Sequence, residues 1–459
     1  MRVESAYWCE ILDYFYDFPL SDVDDNAMHQ LKRSLLDYLG CVVYAAAHDK
    51  CHGLVETILS LGSGTGTASV WASDRKASPG IAAFANATRT SNIELDDGSG
   101  MGASVHPGVY VWSAALAAWE DRRTPISEVL KAALFGYDVC SRMGLLATGK
   151  VRELGLHGPG LIGGLGAVAT AGKLYGLTKE QLRHAFNIAS TLLPLCPFVS
   201  FIQGADAKDL YGGWGVHLAF FAVEAARRGL TGPLGVLDGP KSLASLLDGE
   251  KGKDVKPGTH FYISNVAFKQ YSACYSVHPA MSVVTDLTRK HNIDPSEIAE
   301  VAVATYPYSY DLSAGVRYPL NPSSGRLSLN YTVAYALYNG ELPPSAFDEC
   351  SLKDERYFEL GKRIKVTRHN EYGEGPFGVR GCKISITMRD GTVYSGEAHG
   401  ARWATPPSDE DLTGKFLSLT SGALPEDKIE RLRSIAFGVD RLDSLDELTS
   451  ILREVSLTR

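Results

Sequence analysis

The 459-residue chain has no long apolar run, no paired cysteines and no block of basic residues. None of its hydrophobic stretches approaches the roughly 18 consecutive apolar residues of a transmembrane helix. Residues 1–10 also lack the apolar core and the small-residue cleavage site of a secretory signal. We therefore expect a cytoplasmic protein that does not bind a membrane.

The eight cysteines are scattered, and no Cys-x-x-Cys pair or metal-ligand spacing of histidines occurs. This pattern argues against zinc and iron–sulfur sites and is typical of reduced core cysteines. The 45 basic and 53 acidic residues give a net charge of -8. Without a Lys/Arg-rich segment we expect no nucleic-acid partner, and an anionic ligand would need a local basic pocket.

Hydrophobic periodicity distinguishes segments with helical spacing from segments with strand-like alternation. Apolar residues recur at helical spacing in the first half, and a capping-box pattern at Thr178 and Gln181 predicts one further helix; the periodic segments are 22–47, 78–90, 108–119, 125–147, 160–176 and 213–229. Strand-like runs follow at 300–306, 364–367 and 382–388, and a turn at 389–392 leads into 393–399. A helical pattern returns from about residue 408.

These hydrophobic patterns predict a mainly α protein, with a large all-helical domain and a smaller inserted α/β lid domain. We expect the helical domain at 1–262, the lid at 263–403, and a C-terminal helical segment at 404–459 that packs back on the first domain. A binding site between the two domains would be natural.

An acidic cluster precedes a histidine in a glycine-rich segment. Glu94, Asp96 and Asp97 are followed by Gly-Ser-Gly-Met-Gly and then by His106-Pro-Gly, which indicates a loop. Such a cluster alone is more often a solvated turn or a helix cap. Carboxylates near a histidine, however, can orient it for proton transfer.

A second glycine-rich segment, 158–166, has neither the spacing of a dinucleotide-binding loop nor that of a phosphate-binding loop, and no strand precedes it. We interpret it as a place where helices approach closely. His157 directly precedes it at a helix entrance, where backbone donors favour an anion. Lys208 stands at the head of the next long helix.

The start of the lid offers a cation, a thiol and an imidazole in Lys269, Cys274 and His278. Cys274 and His278 would share one face if this stretch were helical. A small pocket-wall residue is a simpler role for Cys274 than a nucleophile, which would need a nearby base.

In order along the chain, these segments resemble the MmgE/PrpD family, which includes 2-methylcitrate dehydratases, cis-aconitate decarboxylases and iminodisuccinate epimerases. The resemblance rests on a series of short motifs: Phe84-Ala-Asn86, Glu94-Leu-Asp-Asp-Gly98, His106-Pro-Gly, Gly163 to Leu177, Gly204-Ala-Asp-Ala-Lys208, Gly229-Leu-Thr-Gly-Pro233, Phe268-Lys269 and Leu327-Ser-Leu-Asn-Tyr331.

The resemblance implies a helical domain with an inserted lid, a homodimer, and an active site between the domains that uses neither metal nor cofactor. By position it points to Glu94, Asp97, His106, His157, Lys208, Lys269, Cys274 and Tyr331. The implied catalytic residues are His106 and His157 as acid and base, the Glu94 and Asp97 carboxylates as their orienters, and Tyr331 as a donor from the lid. Lys208 and Lys269, with Cys274 and His278, would bind the carboxylates of a small polycarboxylate.

Several positions depart from the family pattern, among them Trp214, where a small residue is common. Gly98 stands where the decarboxylases and dehydratases tend to carry threonine, Cys274 where decarboxylases tend to carry histidine, and Ser272 replaces a common proline. These departures weaken the transfer of either specific activity. The two histidines, the two lysines and the acidic loop together lead us to expect a lyase of the 2-methylcitrate dehydratase type, which removes a proton α to a carboxylate. Decarboxylation, epimerisation of an amino- or iminodicarboxylate, and a catalytically inactive binding protein of the same fold stay open as alternatives.

Overall fold

A computed structural model describes residues 6–48, 51–62, 64–99, 104–147, 150–237, 239–247, 256–313, 315–372, 380–399 and 407–457. The middle of the expected glycine-rich loop, 100–103, and the beginning of the expected C-terminal segment, 404–406, lie outside these ranges.

The first part of the chain is helical, with three very short strands. Its elements are α1 (Ala6–Asp17), α2 (Asp25–Ala47), α3 (His52–Ser60), β1 (Ala68–Ser69), β2 (Lys76–Ala77), α4 (Pro79–Asn92), β3 (Gly98–Ser99), α5 (Pro107–Arg122), α6 (Ile126–Leu146), α7 (Lys150–Glu153), α8 (Gly158–Ile162), α9 (Gly164–Leu174), α10 (Lys179–Thr191), α11 (Val199–Ile202), α12 (Leu210–Arg227) and α13 (Leu243–Leu246).

The second part mixes helices with a small sheet, and helices close the chain. The elements are β4 (Val266–Ala267), α14 (His278–His291), β5 (Ile298–Thr305), α15 (Pro307–Ser313), α16 (Pro322–Gly325), α17 (Leu329–Asn339), α18 (Glu349–Leu352), α19 (Glu355–Gly361), β6 (Ile364–Arg368), β7 (Cys382–Met388), β8 (Val393–Ala398), α20 (Asp409–Thr420), α21 (Glu426–Gly438) and α22 (Asp446–Arg453). Short 3-10 helices occupy Leu20–Asp22, Asp206–Asp209, Tyr262–Asn265, Pro295–Glu297, Pro344–Phe347 and Val439–Arg441.

Helix α2 shows why the helical pattern folds as predicted. Its N-cap Asp24 accepts a hydrogen bond from the backbone N–H of Ala27 at 2.8 Å. Leu31, Leu35 and Leu39 repeat every four residues and are fully buried, each contributing about 1.5–3 kcal/mol. The predicted capping box at Thr178 also begins α10.

Two large apolar cores contain most of the buried apolar residues in the described part of the chain. The larger core is built from residues between 8 and 268 and again between 412 and 455, because α20 and α21 pack back against α2. The smaller core spans residues 273–386. The mainly α fold with a small α/β part is confirmed.

The smaller core surrounds a four-stranded sheet of order β6-β5-β7-β8. Strand β5 pairs parallel with β6 and antiparallel with β7, and β7 pairs antiparallel with β8. The turn between β7 and β8 contains Gly391 at φ 89°, a left-handed conformation that favours glycine. Helix α14 packs against β7 and β8.

The glycines of 158–166 allow close helix packing, as predicted. A Cβ at Gly166 would lie 2.2 Å from Sγ of Cys140, and one at Gly164 would lie 2.8 Å from Cα of Gly215. Helix α9 therefore approaches α6 and α12 more closely than larger residues would permit.

A short antiparallel pairing joins the two parts of the chain. Gly98 pairs with Ala267 and Ser99 with Val266, so β3 and β4 form a two-stranded sheet. This pairing sets the acidic cluster beside the first residues of the lid. None of the described helices is long and apolar enough to cross a membrane.

Candidate active site

The acidic loop is folded so that both of its ends lie together. After α4, Glu94 adopts φ 50°, which is uncommon for a residue with a side chain. The backbones of Ser99 and Val105 then hydrogen-bond to each other in both directions, at 2.9 and 3.1 Å. This closure returns the chain to His106, the N-cap residue of α5.

Glu94 lies between two buried lysines. Its Oε1 atom accepts a hydrogen bond from Nζ of Lys208, and its Oε2 atom accepts one from Nζ of Lys269 at 3.0 Å. The Lys269 ammonium also lies 3.4 Å from Oδ1 of Asp96. Two ammonium groups and two carboxylates thus form one buried network.

The charges of this network stabilise one another. Burial alone would raise the pKa of Glu94, but the ammonium groups of Lys208 and Lys269 outweigh it and hold the pKa well below its ordinary value. Burial would lower the pKa of Lys269, whereas the carboxylates of Glu94 and Asp96 raise it above its ordinary value. Both groups are therefore charged at neutral pH.

The two histidines at this site have opposite tautomers. Nδ1 of His106 lies 2.6 Å from the carbonyl oxygen of Asp97, which can only accept, so this nitrogen carries a proton. Nδ1 of His157 accepts a hydrogen bond from the backbone N–H of Gly160 at 3.1 Å, so its proton is on Nε2. In neutral imidazoles, Nε2 is thus the basic atom of His106 and the donor atom of His157.

The environment of His157 favours its neutral form. Burial, reinforced by the nearby charge of Lys208, lowers its pKa to about 3. Its backbone N–H donates to the carbonyl of Cys196 at 2.8 Å, and the rings of Phe198 and Tyr211 lie against the imidazole. At neutral pH His157 is a fixed hydrogen-bond donor rather than a base.

Two further groups surround His106. A carboxylate oxygen of Asp96 lies 3.5 Å from Nδ1, and the ring of Tyr275 stacks on the imidazole at an interplanar angle of 9°. The negative charge of Asp96 favours the protonated imidazole that would form after proton abstraction.

Asp97 has a different position from the one predicted for an orienting carboxylate. Its Oδ1 atom accepts from the backbone N–H of Gly108 at 2.8 Å, and its Oδ2 atom accepts from the hydroxyl of Tyr137 at 2.7 Å. Its side chain therefore binds the start of α5, and its backbone carbonyl contacts His106. Burial and the charge of Asp37 raise the Asp97 pKa to about 7.

The histidines border a cleft of about 570 Å³, a volume that includes space open to solvent. The helical part contributes Glu94, His106 and His157, and the lid contributes Cys274, Tyr275, Tyr308 and Arg380. An adjoining cavity of about 320 Å³ shares the three helical residues and adds Asp96 and Lys208.

Two residues predicted for the site lie elsewhere. Tyr331 is buried in the lid core, and its hydroxyl donates to the carbonyl of Ala346. His278 is the first residue of α14, where its Nε2 atom lies 3.2 Å from the carbonyl of Ala273 and its ring packs against Tyr275. Cys274 precedes α14, so the helical face expected for Cys274 and His278 does not form.

Asp96, Tyr275 and Arg380 belong to the site although sequence reasoning did not select them. Asp96 was within the acidic cluster, but spacing does not show which carboxylate faces the histidine. Arg380 follows 373–379, which lie outside the described residues, and no motif marks it. Within the described ranges, no group of three or more His, Cys, Asp or Glu side chains is arranged to hold a metal ion.

Comparison with known families gives two matches that together cover most of the chain. A model described as the MmgE/PrpD N-terminal domain matches residues 10–256, and one described as the MmgE/PrpD C-terminal domain matches residues 271–440.

Several curated relatives align over almost their whole length. The chain is 23% identical to the cis-aconitate decarboxylase of Mus musculus, over 95% of this chain and 91% of the relative. It is 24% identical to the Homo sapiens enzyme of the same name, over 94% and 91%. The Aspergillus terreus cis-aconitate decarboxylase is 22% identical, over 98% and 96%.

Proposed function

Because the chain belongs to the MmgE/PrpD family, we propose that it is a lyase of small polycarboxylic acids that removes a proton α to a carboxylate. The observation that carries this proposal is the pair of opposite tautomers at one cleft. Nε2 of His106 is the base, and the Nε2–H group of His157 donates a hydrogen bond to the substrate oxygen that gains negative charge.

The buried network supports this chemistry. Removal of a proton next to a carboxylate produces a carbanion-like state, which nearby positive charge stabilises. Lys208 borders the cavity beside both histidines and supplies such charge, although it shares that charge with Glu94. Lys269 acts indirectly. It is completely buried, and its ammonium group holds the carboxylates of Glu94 and Asp96 in position.

Loss of hydroxide from the neighbouring carbon is the reaction we favour, as in a 2-methylcitrate dehydratase. The C–H electron pair forms the double bond, and the proton taken by His106 together with the departing hydroxide makes up the water that is lost. Cys274 supports this choice, because it lines the cleft at the position where we expect a histidine in decarboxylases. The proposed reaction draws only on side chains of the protein.

Decarboxylation is the second candidate, since the aligned relatives carry the name cis-aconitate decarboxylase. At 22–24% identity the specific activity need not be shared. Carbon–carbon bond cleavage would use the same donor and positive charge but would deliver a proton to carbon instead of removing one.

A panel of hydroxy- and unsaturated di- and tricarboxylates, incubated with purified protein, tests the proposal. Dehydration adds ultraviolet absorbance from the new double bond, whereas decarboxylation releases carbon dioxide. Incorporation of solvent deuterium without either product would instead support an epimerase. No change in any acid of the panel would contradict the lyase proposal and favour an inactive binding protein.

We also propose that the protein is a homodimer and that its domains divide near 262/263 and 403/404. The two apolar cores support a division in these parts of the chain, since the larger core extends to Phe268 and resumes at Leu412, whereas the smaller core begins at Ala273. Trp214 and Phe221, seven residues apart on α12, are 44% and 54% exposed, which supports an association surface on that helix. Size-exclusion chromatography with light scattering tests the dimer, and a monomer at micromolar concentration would contradict it.

A further inference from the structure

Arg380 presents a buried positive charge to the cleft from the lid side. The residue is 8% exposed and lines the same 570 Å³ cleft as the two histidines. Its Nη2 atom is buried and has no hydrogen-bond partner among the described residues, and no described carboxylate forms an ion pair with it. A buried guanidinium without an anion is costly, so a ligand anion would relieve that cost.

The backbone holds Arg380 in place. The next residue, Gly381, accepts a hydrogen bond from the backbone N–H of Tyr306 at 3.2 Å, and β7 begins at Cys382. A Cβ at Gly381 would lie 2.3 Å from the ring of Tyr372, so the chain packs tightly at this point. The guanidinium therefore projects from the end of a sheet strand, which is a rigid support for a binding group.

The lysines of the site are already neutralised. Lys208 and Lys269 form ion pairs with Glu94 and Asp96, so two positive charges meet two negative charges. His157 adds no charge in its neutral form. Among the described cleft residues, Arg380 is thus the cation with which no described carboxylate forms an ion pair.

We propose that Arg380 binds the substrate carboxylate that is remote from the reacting carbon, and that the substrate is a dicarboxylate. This inference rests on the proposed function of the cleft. One carboxylate lies beside the reacting carbon, near Lys208 and the donor of His157, and the other pairs with the Arg380 guanidinium in a bidentate geometry. Among the described residues, a third carboxylate would meet no further uncompensated cation, and the carboxylates of Glu94 and Asp96 would repel it.

Binding of succinate, measured by titration calorimetry, tests the site without requiring turnover. Wild-type protein should bind succinate, and Arg380→Gln should weaken binding about 10- to 100-fold, the range for loss of charge-assisted hydrogen bonds. Arg380→Lys should restore part of the affinity. Arg389→Gln, which removes an exposed arginine from the β7–β8 turn, is the matched control and should bind like wild type.

Turnover supplies a second readout. For an acid that the enzyme converts, replacing the remote carboxylate by a carboxamide should raise KM in wild type and leave KM almost unchanged in Arg380→Gln, with kcat nearly constant. Tricarballylate, which has three carboxylates, should bind more weakly than succinate, by at least about tenfold.

The outcomes separate the two proposals. Equal succinate binding by wild type and Arg380→Gln, or no binding by wild type, overturns the Arg380 site, even if the protein is an active lyase. Arg380-dependent succinate binding without turnover of any acid leaves the site intact and overturns the lyase. Tricarballylate binding as tight as succinate binding overturns the dicarboxylate preference.

Discussion

Nδ1 of His106 lies 2.6 Å from the backbone carbonyl oxygen of Asp97. This contact sets the tautomer of the proposed base through the main chain, so it does not depend on the Asp97 carboxylate. That carboxylate instead binds the backbone N–H of Gly108 at the start of α5. Asp97 therefore fixes the start of α5 through its carboxylate and the position of the proton on the His106 ring through its backbone carbonyl.

Replacement of His106 by asparagine should abolish most of the activity and leave the fold intact. Asparagine has no basic nitrogen, so we expect kcat to fall about 10²- to 10⁴-fold. It is also a favourable N-cap residue, so α5 should begin normally. Steady-state kinetics and thermal unfolding measure the two effects. His291→Asn, at the exposed end of α14, is the control, and retention of full activity by His106→Asn would remove His106 from the site.

His157 has a capping role and a proposed chemical role, which two substitutions separate. In His157→Asn, the side-chain oxygen can accept the Gly160 N–H bond, while the Nε2–H donor is lost. We expect near wild-type thermal stability with kcat lowered about 100-fold or more. His157→Ala should lose both, with a stability loss of about 1 kcal/mol. Equal kcat in wild type and His157→Asn would show that the residue only caps α8.

Glu94→Gln should destabilise the protein strongly, because it removes the carboxylate that forms ion pairs with the buried ammonium groups of both Lys208 and Lys269. Removal of one partner from a buried ion-pair network costs about 3–5 kcal/mol. Urea unfolding at neutral pH measures the change. Glu349→Gln, which removes an exposed ion pair with Lys353, is the matched control and should leave stability nearly unchanged. Similar losses in both variants would contradict this description of Glu94.

The sequence predicts the longer elements well because their periodicity extends over many residues. The runs 364–367 and 382–388 correspond to β6 and β7, and the turn after 388 forms as expected. Strands β3 and β4 show no such signal, since a two-residue strand has no period. The pairing that sets Lys269 beside the acidic loop was therefore beyond sequence analysis, although both segments had been selected separately.

Side-chain direction limited the prediction of the site. Tyr331 follows the N-cap Ser328 on α17, a helix buried on nearly all sides, and its position on that helix directs it into the lid core. For Cys274 and His278, one signal was present but unused. Pro279 stands in the first turn of α14, a position that proline favours, and it indicates that the helix begins at His278 rather than before Cys274.

Asp97 should make stability depend on pH in an identifiable direction. Its pKa rises from an ordinary value of 3.8 to about 7 in the folded protein, so between these values only the native state holds the proton. The resulting stabilisation is fully present below about pH 4 and is lost as pH rises through 7, at about 1.4 kcal/mol per pH unit at most. Asp97→Asn lacks this titration.

The unfolding free energy in urea, measured at about pH 5 and pH 8 for both proteins, isolates this effect. The wild-type value minus the Asp97→Asn value should decrease between the two pH values. His157 makes stability rise with pH between about 3 and 6.5, because its pKa in the folded protein is lowered to about 3. Both proteins contain His157, so its contribution cancels in the difference. A difference that is constant or increases with pH would show that Asp97 is ionised in the native state across this range.

Tyr331→Phe tests whether the lid tyrosine takes part in the reaction. Its hydroxyl donates to the carbonyl of Ala346 inside the lid core, away from the described lining of the cleft, so we expect kcat and KM to stay within about twofold of wild type. The variant should lose about 1 kcal/mol of stability, because the buried carbonyl is left without this donor. Tyr338→Phe, on the same helix but only partly buried, should change neither quantity. If Tyr331→Phe instead lowered kcat about 100-fold at unchanged stability, the lid would have to rearrange on substrate binding so that the Tyr331 hydroxyl reaches the cleft.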